Sequence, residues 1–475
     1  MHPVPRLARR TLLRLTGIAA GAAALASCGA TPTPQVVEKE VTTIVEKEVT
    51  SVVEKLVTAA APAAAEPVEI TWWSPFGPNY GGHYEEIMMV AFKALAPHIK
   101  VNRVDMLERE KVQAEFAAGR FPDLMPWYYP EIKSAERQLA LDDLVDRDQW
   151  DICQMWLVFK DPADDKTYGL NQEVSNMAIW YDRAVLTDLG VEEPSNPDWT
   201  WEEFADWAQV ATVDNNGKNA KDPDFQPDNV RVFGTSLAFY GSTSLWPWIE
   251  WLWQAGGEFY NADETQVTFD SPEGIEALQY WVDMIHKYRA MPVLGSAAGG
   301  LGSGLLASAD AGCWTYGSLV RSQGKDVGTI DLPMHKVKAS LQLPGYWHLL
   351  NNGSANVDAS WELLKYRLSV DNVLVFSKGA GYLPVRRDVA ESEGYASFLE
   401  TEGPQLKTHV KLLGLGRVQP TTHLFRPELM QIHGEWFEKA LLAKVSAEEA
   451  MKSAATEINA RPDLFEQNTR QGPAC

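Results

Sequence analysis

The sequence predicts an α/β protein with a parallel sheet, and three stretches carry that prediction. Val68 to Trp73 has the composition of a strand, a helical pattern follows from about Tyr84 to Leu95, and Ile99 to Val104 reads as a second strand. Pro122-Asp123-Leu124-Met125 then reads as a short buried strand that gives way to the loop Pro126-Trp127-Tyr128-Tyr129-Pro130. Strand, helix and strand in succession imply parallel pairing, with ligands gathering beyond the carboxyl ends of the strands.

Ahead of this region lies a segment of a different kind. Arg6, Arg9, Arg10 and Arg14 precede the apolar Leu15 to Ala26, which is too short and too rich in Ala and Gly to span a bilayer as a permanent helix. Leu25-Ala26-Ser27-Cys28 then reads as a lipobox, so residues 1–27 are expected to be a lipoprotein signal peptide and Cys28 the lipid-bearing new N-terminus. The competing reading is an ordinary secretory peptide cut near Ala26. Arg9-Arg10-Thr11-Leu12-Leu13 is a loose twin-arginine pattern, which would mean export in the folded state. Residues 28–66 hold three near-copies of one octad, Val36 to Thr43, Ile44 to Ser51 and Val52 to Ala59, between a Thr-Pro repeat and an Ala/Pro tract. Their apolar spacing fits neither a coiled coil nor a strand, so an extended stalk is expected, reaching at most ~130 Å.

The rest of the chain is long enough for two domains. With 42 basic against 64 acidic residues the net charge is -22, which argues against nucleic acid and against anionic lipid surfaces as partners. Besides Cys28, only Cys153, Cys313 and Cys475 remain, at spacings that match no metal site. A Cys313–Cys475 disulfide and unpaired buried thiols both stay open. No cofactor motif is present. Gly300-x-Gly302-x-Gly304 follows no convincing strand and reads as a loop.

Tryptophan, at 18 residues, is the compositional outlier. Thr200-Trp201-Glu202-Glu203 predicts a capping box, with Phe204 and Trp207 on the apolar face of the helix that follows. Ser271-Pro272-Glu273 predicts another helix start, with Ile275, Leu278, Trp281, Val282 and Ile285 at helical spacing. Trp361, Leu364 and Leu368 repeat the pattern. Trp73, Phe76, Trp127 and Tyr128 fall instead where strands end and loops begin, where they either face a ligand or plug an edge of the core.

As a whole, residues 68–475 resemble the family 1 extracellular solute-binding proteins, the sugar-binding receptors of ABC importers. The resemblance runs in order through Ile70-Thr71-Trp72-Trp73, Phe116-Ala117-Ala118-Gly119 with Pro122-Asp123-Leu124, Leu141-Asp142-Asp143-Leu144, Tyr168-Gly169-Leu170 and Ile179-Trp180-Tyr181-Asp182. It continues through Trp199-Thr200-Trp201-Glu202-Glu203-Phe204, Gly256-Gly257, Ala311-Gly312-Cys313-Trp314, Asp331-Leu332-Pro333 and Ala359-Ser360-Trp361-Glu362-Leu363-Leu364-Lys365. It implies a two-lobed periplasmic-binding-protein type II fold with discontinuous lobes and a hinge. The N-terminal lobe is then expected from 67–175 and 345–388, and the C-terminal lobe from 176–344 and 389–475. Crossings are expected near Val174 to Ala178, Leu343 to Trp347 and Arg387 to Ala390.

The resemblance also implies a carbohydrate held between the lobes of a monomer and passed to the permease subunits of an importer, at the cell surface or in the periplasm. Sugar capture needs flat aromatic platforms for the C–H face of each ring and planar polar groups for its hydroxyls. Carried over by position, the platforms are Trp73, Phe76, Trp127, Tyr128, Trp314 and Tyr316, with Tyr240, Trp246 and Trp248 in a looser stretch. Trp347, in Gly345-Tyr346-Trp347-His348, is an extra candidate, whereas Trp436 reads as core. Among polar groups, Arg386 or Arg387 is expected either to line the cleft or to pair with nearby acids, Asp123 to satisfy a turn, and Glu173 to be an exposed hinge carboxylate rather than a partner of a solute hydroxyl. An extracellular carbohydrate-active enzyme and a sensory lipoprotein are the rival classes. No nucleophile elbow or His-Glu-x-x-His motif supports the enzyme.

Overall fold

The computed structural model describes residues 66–74, 76, 83–105, 109–127, 137–161, 164–238, 245–293, 300–343, 345–418, 427–465 and 470–472. The expected signal peptide, the expected stalk up to residue 65 with Cys28, and Tyr128, Tyr240 and Cys475 lie outside them. The strands are β1 (Val68–Ser74), β2 (Ile99–Asp105), β3 (Leu124–Trp127), β4 (Val158–Lys160), β5 (Thr167–Asn171), β6 (Met177–Asp182) and β7 (Val213–Asp214). They continue as β8 (Val230–Val232), β9 (Ser308–Gly312), β10 (Val327–Ile330), β11 (Ser340–Gln342), β12 (Trp347–Leu350), β13 (Gly416–Val418) and β14 (Arg470–Gly472).

The first lobe is built on a sheet in the order β14-β4-β5-β12-β3-β1-β2. β1 pairs in parallel with β2 and β3, as the strand-helix-strand pattern requires, while β12 runs antiparallel to both β3 and β5. The pleat sends alternate residues to opposite faces. Trp72, Leu124 and Leu350 enter one buried cluster with Phe92 and Trp361, from the helices His83–Leu95 and Val357–Arg367. Trp73, Met125 and Leu349 enter another with Val112, from the helix Arg109–Ala117.

The second lobe holds the three-stranded sheet β10-β6-β9, antiparallel throughout. All six residues of β6 are buried, so its apolar run has no solvent face. Around it the helices Trp201–Ala211, Leu245–Gln254, Pro272–His286, Pro427–Leu441 and Ala447–Asn459 contribute to one large core. Local signals start two of them as expected. Thr200 Oγ1 accepts from the Glu203 amide at 3.2 Å while the Glu203 carboxylate accepts from the Thr200 amide at 2.7 Å. Ser271 caps the helix that opens with Pro272. Gly300, Gly302 and Gly304 form a loop, all with positive φ.

Three stretches of chain run side by side between the sheets. Val174 bridges Leu383, and Ser175 bridges Leu343. Arg387–Ala390 is a short helix, beyond the bridge at Leu383. A buried cluster around these crossings mixes residues of both regions, Phe76 and Met88 with Trp180, Cys313, Tyr316, Phe376 and Tyr382. The last strand departs from the expected division of the chain. Leu464 and Phe465 sit in the second lobe's core, yet β14 adds an edge to the first lobe's sheet beside β4. The cysteines are also settled in part: Cys313 is a free, buried thiol, which rules out the Cys313–Cys475 pairing, and Cys153 is disulfide-bonded.

Candidate functional site

The sheets bring particular residues to the space between the crossings. Pairing of Ser74 with Asp105, and of Trp347 with both Trp127 and Asn171, places these residues along one edge of the first sheet. In the second lobe β6 begins at Met177 opposite Gly312, the last residue of β9, and Trp314 follows two residues on. The Trp314 ring lies against the bare Cα of Gly312, where an added Cβ would come within 2.2 Å of it. Glycine is therefore needed under this indole. Trp314 is half-buried, with its ring centroid 6.0 Å from that of Tyr382. Tyr382 stacks on Phe376 at 5.6 Å, and Phe76 meets Tyr346 edge-on at 5.3 Å and Tyr382 at 5.6 Å. A continuous aromatic run thus links the end of β9 to the end of β1, with Trp314 and Tyr346 partly open to solvent.

Several expected platforms lie elsewhere. Trp73 is buried and stacks on Phe116 at 5.6 Å. Trp347 is buried in the same cluster, 5.9 Å from Phe159. Its neighbour Tyr346, outside the strand, holds the more open position. Phe76 and Tyr316 are fully buried, and the Tyr316 hydroxyl donates to the Glu402 carbonyl. Trp248 has no exposure and packs edge-on to Phe437 at 5.5 Å, so it is core of the second lobe. Trp246 lies in the first turn of the same helix, and Trp127 ends β3. Arg386 is committed to a bidentate pair with Asp388, at 2.9 and 2.6 Å, and to the Leu368 carbonyl. Arg387 rests over Trp156. Asp123 accepts from the Thr71 amide and from Ser354, which are remote in sequence, so it ties β1 to the segment after β12 where the sequence predicts a local turn. Trp436 packs against the second lobe's core, with its indole N–H on Glu457.

Glu173 is the clearest correction. It is buried, with Oε1 accepting from the Tyr346 amide at 3.0 Å and Oε2 lacking a partner among the described residues. Burial pushes its carboxyl up to about 8, since desolvation penalises the anion. It borders a charged cluster under the end of β1. There the Glu85 carboxylate takes Arg367 Nη2 at 2.7 Å, Arg103 Nη2 at 3.3 Å and the Ser74 hydroxyl. Arg367 also donates to Gln172, approaches His348 Nε2 at 3.3 Å, and lies 4.0 Å over the Trp72 ring. Burial, then the Arg367 charge, holds His348 well below the usual histidine range.

The second lobe has its own buried polar group. Glu250, on the helix Leu245–Gln254, accepts from the Leu341 amide at 3.0 Å, and Asp310, on β9, accepts from the Trp251 indole at 3.4 Å. Burial raises both carboxyls, and the Asp310 charge raises Glu250 further. Among the described residues no cluster of His, Cys, Asp and Glu is suited to a metal ion.

The family model described as bacterial extracellular solute-binding protein matches residues 88–403. The chain belongs to that family. A curated relative of this solute-binding protein, a binding protein of Brucella abortus, is 22% identical over 308 residues, 62% of this chain and 68% of the relative. Among solved structures it is similar to the cyclic alpha-maltosyl-1,6-maltose binding protein of Arthrobacter globiformis, with a TM-score of 0.67 and 24% identity over 83% of this chain and 99% of that one. An ABC substrate-binding protein of Listeria monocytogenes in complex with cycloalternan gives a TM-score of 0.69 at 20% identity, again over 83% and 99%. UgpB of Mycobacterium tuberculosis in complex with glycerophosphocholine gives 0.66 at 19%, over 85% and 98%. The shared architecture is the two-lobed fold of these receptors.

Proposed function

We propose that this solute-binding protein captures a carbohydrate of oligosaccharide size between its lobes and delivers it to the permease of an ABC importer. The observation that carries this reading is the half-buried Trp314 ring, laid over Gly312 at the end of β9 and continued by the aromatic run to Tyr346. An indole face beside hydrogen-bonding groups is the chemistry a pyranose requires. The sugar ligands named for the Arthrobacter and Listeria structures support the same class. Trp127, Tyr128, Tyr240 and Trp246 remain further candidates for platforms.

The segments at Val174–Ser175, Leu343 and Leu383 serve as the hinge in this reading, and closure is driven by contacts that the solute makes only in the closed state. Cys28 carries the lipid and residues 29–66 the stalk, so the lobes work outside the cytoplasm, leashed to the membrane and without catalysing a reaction. Export by the twin-arginine route belongs to the same proposal.

Titrating the stalkless protein with linear and cyclic oligosaccharides, while following tryptophan emission and melting temperature, tests the binding claim. A true ligand raises the melting temperature. If no saccharide moves either signal, the carbohydrate assignment fails. Trp314→Ala is expected to weaken binding at least ~10-fold, about 1.4 kcal/mol, while the far-ultraviolet spectrum stays unchanged. Mass spectrometry of the N-terminal peptide tests the anchor, and Cys28→Ala is expected to release the protein from membranes.

A further inference from the structure

We infer that Glu173 is a positioning residue for solute capture: its buried carboxyl joins the first crossing to the second and sets the backbone from which Tyr346 meets the solute. Its role rests on the proposed carbohydrate face, the aromatic run from Trp314 to Tyr346. With 1% exposure, Glu173 offers no surface of its own to a solute. It acts through the Tyr346 peptide, which the first crossing holds from both sides. The Gln172 amide donates to the Tyr346 carbonyl at 3.3 Å, and the Tyr346 amide donates to Glu173 Oε1 at 3.0 Å. The Glu173 carbonyl is fixed in turn by Asn171 Nδ2, at 3.0 Å. Val174 and Ser175 follow directly and bridge Leu383 and Leu343, so consecutive residues tie all three stretches of chain together.

The space is built around this contact. Gly345 has φ +62°, and a Cβ there would come within 2.3 Å of Glu173 Oε1, so any other residue would push the carboxyl off the amide it serves. The groups that face Glu173 are Glu85 from the helix His83–Leu95, Arg367 from the helix Val357–Arg367 and the Cys313 thiol beyond β9. His348 on β12 and Arg103 on β2 join through Arg367 and Glu85. Arg367 is already shared by Glu85, Gln172 and His348, and Glu173 Oε2 has no partner among the described residues. Burial above all, with the Glu85 charge added, keeps the proton on Glu173 up to about 8, although the Tyr346 amide and Arg367 favour the anion. Once ionised, Oε2 is a buried charge that water must reach, and water entering there parts the two crossings. The packed arrangement is thus favoured at low pH and loses its advantage as pH rises from the ordinary 4.5 to about 8. Apparent affinity follows the fraction of molecules in which Tyr346 is held.

Two variants and one measurement without solute test this. Glu173→Leu removes the acceptor and is expected to weaken binding of maltotriose or cycloalternan ~10-fold. Glu173→Gln, whose amide oxygen can take the same N–H, is expected to recover that loss and to abolish the pH dependence. In the unaltered protein, affinity is expected to fall at least ~3-fold between pH 6 and pH 9. The same fall in Glu173→Gln, or unweakened binding in Glu173→Leu, overturns the assignment. Hydrogen exchange at the Tyr346 amide reads the contact directly. Corrected for the intrinsic rise of exchange with pH, its protection is expected to disappear toward pH 9 in the unaltered protein and to persist in Glu173→Gln. Equal profiles overturn the assignment, even where Glu173→Leu fails to fold. Exchange needs no solute, so the carbohydrate reading can fail while the role of Glu173 is still decided.

Discussion

The two lobes each bury carboxyl groups, and they stabilise them in opposite ways. In the first, Glu85 is fully enclosed yet held in a network by two guanidinium groups and a hydroxyl. In the second, Glu250 and Asp310 have no cation beside them among the described residues; the Leu341 amide serves Glu250, the Trp251 indole and the Ala238 backbone serve Asp310, and burial favours their protonated forms. Equal burial thus leads either to ion pairing or to neutralisation, depending on whether a cation is supplied from another element. The consequence is a division of labour. Stability of the Glu85 ion pairs depends on geometry, whereas that of the Glu250 and Asp310 carboxyls depends on pH.

The sharpest way to break the contrast is to remove the cation. Arg367→Met leaves Glu85 with Arg103 alone, and losing one partner of a buried ion pair is expected to cost about 3–5 kcal/mol. A urea midpoint equal to that of the unaltered protein would show the pairing to be dispensable. Next in size is the pH response of the acids. A carboxyl whose folded pKa is raised stabilises the fold at low pH, and this contribution is lost as pH rises through the folded value. For Glu173 the loss runs from its ordinary 4.5 to about 8. Glu250 and Asp310 act in the same direction. Glu250→Gln combined with Asp310→Asn should therefore flatten the fall in stability toward pH 8, by on the order of 1–3 kcal/mol. An unchanged pH profile would mean that both acids are ionised in the fold.

Buried histidines set the opposite limit. Burial pushes His409 and His433 down to about 3. Each then loses its stabilising contribution as pH falls from the usual 6.5 toward that value, so acid unfolding should begin well above the range where ordinary carboxylates titrate. A melting-temperature scan from pH 8 to 4 checks both slopes. The smallest effect calibrates the others: Thr200→Ala removes a capping box far from either charged cluster and should cost about 1 kcal/mol at every pH.

Local chemistry made much of the fold legible. The strand-helix-strand order of β1 and β2, the capping box at Thr200 and the Pro272 helix start are all written in residues a few positions apart. The site was less legible, because its pairings are remote. Glu85 and Arg367 meet across 282 residues, and nothing adjacent to either marks the other. Trp347 and Tyr346 differ by one position, yet the first is in the pleat and faces Phe159, whereas the second precedes the strand. In Trp246-Pro247-Trp248 composition marks an aromatic patch but not which ring a helix turns inward. Glu173 misled for a related reason: a carboxylate beside a hinge normally faces water, and only the return of Gly345 and Tyr346 across it closes it off.

Cys313 adjoins Trp314 and belongs to the cluster that both lobes share, with a thiol that burial holds up near 12. Such a sulfur is inert while the rings around it stay packed. Alkylation by a small reagent then times each excursion that loosens this seam, making the receptor a clock for its own breathing, one that ought to tick more slowly once a cargo is clasped.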